Sequence, residues 1–553
     1  MNRLTCFFFS LLLISITGCH KSDNQDADLT VFKYNESSGI TSLDPAFARN
    51  QANIWAVNQL FNGLVQLDST LKIQPCLAQS WDISDDGKVY TFLLRDDVYF
   101  HDSPAFKGGA GRKVTAGDVV YSLRRLANNR LASPGAWIMN HVEETDGEKQ
   151  VEAINDSVVR ITLKQSFPPF AGMLSMQYCS VIPKEAVEFY GEEFRVNPVG
   201  TGPFIFKMMK EAVKLVLVKN PEYFEKDSQG NRLPYLDAVS VTFIIDKQSA
   251  FLEFVKGNLD FMSGLDASYK DELLSPSGNL KSKYKDKINL ITQPYLNTEY
   301  LGILYDKDNP VMKNNPLADI RIRKAINVGF DREKMIRYLR NRIGKPGTEG
   351  IIPVGLPGYN EHAGYGYKYD PALAARLLEE AGYPGGKGIP PITISTNASY
   401  LDISQFIQSQ LSQSGFDIRI DVSPPGTLRE NIAQARVSFF RGSWIADYPD
   451  AENYLSLFYS QNKSPAGPNY TQFKSLEFDR LYKRAINETN DSIRYSLYGL
   501  MDSTMMEQSP VVVLFYDQVL RFTGKQIFNL GSNPMNLLDL KRVVKINKKV
   551  SKD

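Results

Sequence analysis

The sequence predicts an α/β protein with two lobes and a cleft between them. The chain has 553 residues, which is more than one hydrophobic core can organise. Residues 392–395 alternate like a β-strand, 401–414 carry apolar residues at helical spacing, and 416–422 alternate again. A strand, a helix and a strand in that order form a crossover between parallel strands of one sheet. Ligands favour the crevices of such sheets, so we expect a binding cleft.

The segments before this crossover are predicted from local patterns. Residues 29–34 read as a strand, and 55–64 have helical spacing of apolar residues. Asp-Gly at 86–87 separates two strand-like runs and predicts a β-hairpin. Thr115 is placed to begin a helix, and Asp370 followed by proline begins another, which ends at a glycine. The alternation of strands and helices supports the α/β class.

Composition excludes several classes of function. The chain is 43% hydrophobic and 23% charged, as in an ordinary soluble protein, and its formal net charge is +1. This balance gives no basic face for nucleic acid, so no nucleic-acid partner is expected. The four histidines are scattered and the cysteines have no CxxC spacing, so we expect no metal and no cofactor.

The N-terminus has the pattern of an export signal. An apolar run at 4–16 follows Arg3 and is too short to span a membrane as a mature helix. The residues Ile-Thr-Gly-Cys at 16–19 resemble the lipobox of bacterial lipoproteins. This resemblance implies a signal peptide at 1–18, an acylated Cys19 and a polar tether at 19–28. The alternative is an ordinary secretory signal that is cleaved elsewhere.

Two cysteines remain after the signal and Cys19 are set aside. Cys76 and Cys179 could form a disulfide in an exported protein, or they could be two buried free thiols. The sequence leaves both alternatives open.

Two segments carry a family resemblance. Residues 77–123 contain Leu-Ala-x-Ser-Trp, Asp-Asp-Gly, Tyr-Thr-Phe, Phe-His-Asp and Thr-Ala-x-Asp-Val in that order. Residues 439–450 contain Trp-Ile-Ala-Asp-Tyr. Both are similar to bacterial extracellular solute-binding proteins of family 5, the oligopeptide and dipeptide receptors of ABC importers. The glycine-rich stretch at 103–112 is longer than the family pattern and puts only that surface loop in doubt.

The resemblance implies a fold and a division into lobes. The fold would be the type II periplasmic-binding-protein fold, with two mixed-sheet α/β lobes, an inserted third lobe and a ligand cleft between lobes. Chain crossings near 294–295 and 510–511 would form the hinge. The implied ranges are 27–70, 197–296 and 511–553 for lobe I, 71–196 for the inserted lobe II, and 297–510 for lobe III.

The resemblance also implies a function and its site. The protein would catalyse nothing, capture short peptides and deliver them to a membrane permease. Asp447 would hold the α-amino group of the peptide, and Trp444 would form a wall of its pocket. A structural alternative is that Asp447 caps a helix that begins near residues 448–449.

Further residues are expected around the ligand. Arg441 would meet a peptide carboxylate, or else form an ion pair with Asp447 or a neighbour. The backbone of Gly442, Ser443 and Ile445 would pair with the ligand as an added strand. From the first lobe the candidates are Arg49, Asn50, Gln51 and Ser263.

Other functions remain as alternatives. The common motifs of serine hydrolases, zinc proteases and nucleotide-binding enzymes are not found. Asp447 and Asp450 could serve a glycoside hydrolase, and family members also bind oligosaccharides, opines or haem. The expected partners are short peptides, the subunits of an ABC permease and the membrane through a lipid anchor. We expect a monomer on the periplasmic side of the cell envelope.

Overall fold

The structure is a computed structural model that describes residues 29–266 and 268–547. The predicted signal peptide, the acylation site Cys19 and the tether to residue 28 lie outside the described residues. We keep the names lobe I, lobe II and lobe III for the ranges predicted above.

The strands of the described ranges are numbered in chain order. They are β1 Val31–Asn35, β2 Val65–Leu67, β3 Ile73–Pro75, β4 Ala78–Ile83, β5 Val89–Leu94, β6 Glu144–Thr145, β7 Glu148–Lys149, β8 Val151–Asn155, β9 Val158–Thr162, β10 Phe204–Lys210, β11 Lys214–Lys219, β12 Ala238–Thr242, β13 Phe261–Ser263, β14 Ile288–Ile303, β15 Lys345–Pro346, β16 Ile392–Thr396, β17 Ile418–Val422, β18 Phe439–Ile445, β19 Val511–Gly524, β20 Ile527–Phe528 and β21 Val544–Lys545.

The helices often begin at a polar capping residue. Asn50, Asp370 and Asn490 each accept a backbone hydrogen bond from the first turn that follows, and Thr115 forms a capping box with Asp118. The helices are α1 Gln51–Leu60, α2 Ala116–Leu126, α3 Phe170–Met173, α4 Lys184–Tyr190, α5 Lys247–Lys256, α6 Lys270–Leu273, α7 Ser282–Lys285, α8 Ile320–Val328, α9 Arg332–Leu339, α10 Pro371–Glu380, α11 Leu401–Ser412, α12 Pro425–Ala433, α13 Glu452–Leu455, α14 Leu476–Ala485 and α15 Asp491–Gln508.

One mixed sheet of eleven strands connects lobe I to lobe III. Its order is β10-β11-β12-β1-β13-β19-β14-β18-β16-β17, and β15 pairs with β19. Strands β16 and β17 are parallel, with Ile392 opposite Ile418, and α11 joins them. The predicted crossover and the mixed α/β fold class are therefore confirmed.

Lobe II contains a separate antiparallel sheet in the order β4-β5-β9-β8. The predicted hairpin joins β4 to β5, with Trp81 opposite Phe92. Gly87 has φ +69° in the turn, a conformation that favours glycine.

Two long antiparallel strands, β14 and β19, run from lobe I into lobe III. The pair Pro294–Gln518 is followed by the pair Thr298–Tyr516, so residues 295–297 face Asp517 alone. This bulge interrupts the ladder where the chain passes between lobes.

The packing of β19 changes along its length. Val511 and Val513 lie in one buried cluster of lobe III, and Val512 and Leu514 lie in another on the opposite face. Further along, Phe522 packs with lobe I. The strand therefore leaves the lobe III cores near residue 517, beyond the chain crossing predicted at 510–511.

The helix predicted at 55–64 differs from the observed α1. Helix α1 begins at Gln51 and ends at Leu60, where residues 200–202 pack against its last carbonyl group. A Cβ atom on Gly200 would lie 2.1 Å from the Leu60 carbonyl oxygen. Glycine is needed there for close approach, in addition to the predicted turn.

The two mature-chain cysteines are both buried and are not joined. Cys76 and Cys179 are free thiols in this structure, and burial raises the pKa of each to about 12. Of the two alternatives left open by the sequence, the structure has the free thiols.

Candidate functional site

Strand β18 carries the motif that the sequence singled out, and one of its edges is largely open. Its full length pairs antiparallel with β14, from Phe439 opposite Ile303 to Ile445 opposite Asn297. On the other edge β16 pairs at a single position, Ser395 opposite Phe440. Within the described ranges the edge after Phe440 has no further strand partner.

The direction of the free backbone groups follows from the ladder. The amide of Ala446 donates to the carbonyl of Leu296 at 2.9 Å, and that of Leu304 donates to Ser438 at 2.9 Å. Antiparallel pairs alternate between bonded and non-bonded residues, so both contacts fix the same alternation. The N–H and C=O groups of Ser443 and Ile445 therefore point to the open edge, where an extended ligand can pair with them.

The backbone N–H and C=O groups of Gly442 and Trp444 point the other way, toward β14. A Cβ atom at Gly442 would lie 2.7 Å from the Tyr300 ring, so the ring closes directly over the backbone there. The Trp444 indole is half-buried against lobe III and donates from Nε1 to Asn453 Oδ1 at 2.8 Å. The indole thus has a fixed orientation beside the edge.

Asp447 follows the strand and has an unusual electrostatic setting. Its backbone N–H donates to the same Asn453 Oδ1 at 3.2 Å, which fixes the turn. The carboxylate touches solvent, yet the surrounding protein raises the pKa of Asp447 by desolvation, and hydrogen bonding to Asn453 opposes this shift. Among the residues that the structure describes, no cation pairs with Asp447. It is a desolvated anion without a counter-charge in the described ranges.

The alternative that Asp447 caps a helix is wrong. The next helix, α13, begins at Glu452, and its first backbone N–H bonds to Asp450 Oδ1 at 2.9 Å. Asp450 is buried and lies 3.8 Å from the Arg494 guanidinium. The structural role therefore falls to Asp450, and Asp447 is left free for another.

Arg441 does not reach Asp447. Its Nη2 donates to Glu299 Oε2 at 2.6 Å, and its guanidinium lies 3.5 Å from the centroid of the Tyr400 ring. Both charged side chains are mostly buried. Burial raises the pKa of Glu299, and Arg441 opposes this shift. Of the alternatives considered, the structure has the ion pair with a neighbour.

The Arg441 pair belongs to a network that extends to the strand crossing. Asn297 Nδ2 donates to Glu299 Oε1 at 3.2 Å and to Asp517 Oδ2 at 3.3 Å. Arg340 donates to Asp517 Oδ1 at 2.6 Å. Sequence reasoning missed Glu299, Asn297, Asp517, Arg340, Tyr400 and Asn453, since they come from distant segments and form no local motif.

A cavity of about 410 Å³ opens beside the crossing. It is lined from lobe I by Gln51 and Ser263, and from the crossing and its neighbours by Tyr295, Arg340 and Asp517. Two of the predicted lobe I residues are thus brought together.

This cavity is linked to the strand edge through Leu296, the residue after Tyr295. The Tyr454 hydroxyl donates to the Leu296 carbonyl at 2.7 Å and to the Trp444 carbonyl at 3.2 Å. Burial raises the pKa of Tyr454 most, and both Tyr295 and Asp447 add to this shift. Tyr454 therefore connects the residue after Tyr295 to Trp444 on β18.

Lobe II meets the same region. The pKa of Tyr178 is raised to about 12, mainly by burial and also by the charge of Asp447, and the charge of Arg49 opposes this shift. The residues after Asp447 contact lobe II, since Tyr448 packs with Trp137 at 6.1 Å between ring centroids. The turn after β18 therefore lies against lobe II.

The other two predicted lobe I residues have different positions. Asn50 accepts the Asn53 amide at 3.0 Å as the N-cap of α1, so it already has a structural partner. The Arg49 side chain is exposed and makes no hydrogen bond or ion pair within the described ranges. Arg49 thus remains available to a ligand.

A second cavity, of about 390 Å³, lies away from these residues. It is lined by lobe I, lobe II and residues 529–542. Its central charges, Lys541 and Glu225, are 2.9 Å apart and already satisfied. None of the predicted binding residues lines it, whereas Gln51 and Ser263 line the cavity beside the crossing, which is the better candidate.

Residues 29–266 and 268–547 contain neither a metal-binding group nor a membrane-spanning helix. No group of three or more His, Cys, Asp or Glu side chains is arranged to hold a metal ion there. In the same ranges, no helix has the length and apolar character that crossing a bilayer requires. His101, which the sequence assigns to a family motif, is buried with its Nε2 3.0 Å from the Gly202 carbonyl.

Comparison with known proteins gives a consistent set of similarities. A family model for bacterial extracellular solute-binding proteins, family 5 Middle, matches residues 72–466. The dipeptide-binding protein DppE of Bacillus subtilis is 25% identical over 549 residues, covering 95% of this chain and 93% of the relative. The glutathione-binding protein GsiB of Salmonella typhi is 26% identical over 499 residues, covering 89% of this chain and 90% of the relative.

A solved structure with a bound peptide is also similar. It is the periplasmic binding protein DppA from Helicobacter pylori in complex with the peptide STSA. It is 26% identical with a TM-score of 0.72, and the match covers 93% of this chain and 98% of that chain.

Proposed function

Because the chain belongs to the bacterial extracellular solute-binding proteins of family 5, we propose that it captures short peptides and delivers them to the permease of an ABC importer. Its fold is of the type II periplasmic-binding-protein class, as the resemblance implied. Relatives named for dipeptide and glutathione binding support peptides as the class of ligand.

The observation that carries the proposal is the unpaired carboxylate of Asp447 at the end of an open strand edge. A peptide that lies along Ser443 and Ile445 satisfies their free backbone groups without regard to its sequence. Its α-ammonium then pairs with Asp447, and such charge-assisted bonds are strong where water is excluded. Every peptide with a free amino end can make these contacts, whatever its side chains.

The orientation of the peptide follows from the strand direction. Strand β18 runs toward Asp447, so a ligand whose amino end lies at Asp447 runs antiparallel to β18. Its carboxyl end then lies toward Arg441 and the place where β16 takes over the edge at Phe440. Arg441 is held by Glu299, so its proposed part in ligand binding is limited to the wall of the cleft.

Closure of the lobes is the proposed means of excluding water. The bulge at residues 295–297 and the facing Asp517 are the positions where two long strands change lobes. We propose these positions as the hinge in place of the pair near 294 and 510. We propose the same three lobes with one changed boundary, so that lobe III extends to about residue 516 and the last segment of lobe I begins after it.

The runner-up class, a glycoside hydrolase, has less support. It requires two carboxylates that face one substrate. Asp450 is buried and directed to Arg494 and the start of α13, so it does not share the cleft with Asp447. A family member that binds an oligosaccharide, an opine or haem remains the second candidate, but an unpaired anion favours a ligand that carries an amine.

The cellular setting is proposed from the sequence. Family members are extracellular solute-binding proteins. We propose that Cys19 is acylated and that the protein stands as a monomer on the periplasmic side of the envelope, tethered to a membrane.

Calorimetry with a matched ligand pair tests the proposal. Tri-alanine should bind the protein after bound ligand has been removed by unfolding and refolding, and N-acetyl-tri-alanine should bind at least about tenfold more weakly. Acetylation removes the ammonium and keeps the rest of the peptide. Equal affinity for both ligands would contradict the role of Asp447. Mass spectrometry of the ligand carried through purification separates peptides from sugars, opines and haem.

A further inference from the structure

The turn that precedes α1 is fixed to lobe II. Asp44 accepts two hydrogen bonds from the Arg125 guanidinium, at 2.6 and 3.0 Å, and both side chains are largely buried. The Ala46 carbonyl accepts the Ser133 hydroxyl at 2.6 Å. Arg49 is the first exposed side chain after this turn. Its backbone is therefore held in place relative to lobe II.

Tyr178 is held by the same part of lobe II. A Cβ atom on Gly135 would lie 2.4 Å from Tyr178 Cγ, so the ring packs directly on the loop that bonds to Ala46. The turn at residues 45–47 packs on residues 177–179. The Arg49 turn and Tyr178 thus share one rigid support.

Asp447 approaches this support from lobe III. Pro449 contacts Gly172, where an added Cβ atom would lie 3.3 Å from the proline ring. Arg49 and Asp447 act on Tyr178 with opposite signs, since Asp447 raises its pKa and Arg49 lowers it. Arg49, on the turn that is fixed to lobe II, and Asp447, on lobe III, therefore both lie near Tyr178.

Neither charge has a partner in the described ranges. Asp44, the acidic residue of the same turn, is occupied by Arg125 and leaves Arg49 without a nearby carboxylate. A cation on the lobe I turn and an anion on lobe III, both near Tyr178, complement a ligand that carries both charges close together.

We propose that Arg49 determines specificity for peptides whose first residue carries a carboxylate beside its α-ammonium. This inference rests on the proposed function, because it takes the ammonium to be bound at Asp447. The guanidinium presents two parallel N–H donors to a carboxylate, a geometry that a lysine side chain does not offer. Two kinds of ligand share this chemistry: peptides that begin with aspartate or glutamate, and γ-glutamyl peptides with a free α-carboxylate.

The test compares isosteric ligands in calorimetry. Wild-type protein freed of ligand is titrated with Glu-Ala-Ala, Gln-Ala-Ala, Lys-Ala-Ala and γ-Glu-Ala. Since only the glutamate side chain forms a charge-assisted pair with the guanidinium, Glu-Ala-Ala should bind at least about tenfold more tightly than Gln-Ala-Ala. Lys-Ala-Ala should bind most weakly. Comparison of γ-Glu-Ala with Glu-Ala-Ala shows whether Arg49 pairs better with a free α-carboxylate or with a side-chain carboxylate.

Three variants make the test specific. Arg49→Gln should abolish the preference, so that Glu-Ala-Ala and Gln-Ala-Ala bind this variant within about twofold of each other. Arg49→Lys should restore only part of it, since a point charge replaces the planar fork. Arg436→Gln, at an exposed arginine of lobe III, should behave as wild type.

The outcomes separate this inference from the proposed function. Equal binding of Glu-Ala-Ala and Gln-Ala-Ala to wild type, or a preference that survives Arg49→Gln, would overturn the role of Arg49 while peptide capture stands. Failure of all four peptides to bind would overturn peptide capture itself, and this inference with it.

Discussion

Arg441 donates a hydrogen bond to Glu299 over 2.6 Å, and this contact fixes the side chain that the sequence had assigned to the ligand. The guanidinium also lies against Tyr400, whose hydroxyl donates to Glu299 at 3.2 Å. The pair joins β18 to β14 on the face that carries Ser443, close to the strand crossing. The edge that we propose for the ligand is therefore supported by a buried charge pair.

Replacing Glu299 by glutamine should destabilise the protein. The change leaves the Arg441 guanidinium without a counter-charge inside the protein, which costs about 3–5 kcal/mol in buried pairs. Thermal unfolding of Glu299→Gln should therefore occur at a clearly lower temperature than that of wild type. The control is Glu361→Gln, whose pair with Lys345 is exposed to solvent and should leave the unfolding temperature nearly unchanged. Equal loss in both variants would contradict a structural role for the Glu299 pair.

Local patterns were sufficient for much of the fold. The crossover formed by β16, α11 and β17 was predicted because its periodicity changes within about thirty neighbouring residues, where side chains of one element face one core. The partner of Arg441 could not be predicted in this way, since Glu299 is 142 residues away in the chain. Only the register of β14 against β18 brings the two together.

The site shows the same division. Trp444 and Asp447 were found because a short motif carries them. Asn453 was missed, although its single Oδ1 atom accepts both the Trp444 indole N–H and the Asp447 backbone N–H. Its role depends on how the turn after β18 folds back, and no spacing rule expresses that.

Asp447→Asn should weaken peptide binding by more than about tenfold, because the ligand ammonium loses its only proposed counter-charge. The exposed position of the side chain predicts a nearly unchanged unfolding temperature for the empty protein. Calorimetry with tri-alanine and a thermal melt measure the two effects. The control is Asp421→Asn, at an exposed aspartate on the distant edge strand β17, which should leave both unchanged.

The pH dependence of peptide binding is a second test of the role of Asp447. The pKa of Asp447 is raised in the empty protein, and a bound ammonium should lower it. At a pH near the raised pKa, Asp447 must therefore lose a proton when the ligand binds. Wild-type affinity should fall as the pH is lowered toward that pKa. Affinity of Asp447→Asn should lack this decline. A decline of equal size in the variant would assign the titration to another group.

Cys19→Ser should release the protein from membranes. Acyl chains contribute roughly 0.8 kcal/mol per buried methylene group, so an acylated N-terminus holds the protein to a bilayer. In cell fractionation, wild type should sediment with membranes and the variant should remain in the soluble envelope fraction. Cys6→Ser is the matched control, because it changes a cysteine inside the signal that is removed. Continued sedimentation of Cys19→Ser would contradict acylation at this position.

Glu452 should make the stability of the protein depend on pH near neutrality. Its carboxyl group is buried and accepts hydrogen bonds from the Tyr448 and Tyr482 hydroxyls. Burial raises the pKa of Glu452 from its ordinary 4.5 to about 7, and the nearby Asp450 adds to the shift. The folded state therefore binds this proton more tightly than the unfolded state. The contribution to stability is complete below about pH 4.5 and is lost as the pH rises through about 7.

Glu452→Gln removes this titration and keeps a neutral side chain of the same shape. Between about pH 4.5 and 7, wild type should lose on the order of 3 kcal/mol of unfolding free energy through Glu452. The variant should not show this loss. Denaturant unfolding measured across this range gives the two slopes, and their difference isolates Glu452 from Asp450 and Asp502, whose pKa values are also raised by burial. Glu477→Gln on the exposed face of α14 should retain the wild-type slope. Parallel curves for wild type and Glu452→Gln would mean that Glu452 is already ionised in the folded protein, with the two tyrosine hydroxyls sufficient to hold a buried carboxylate.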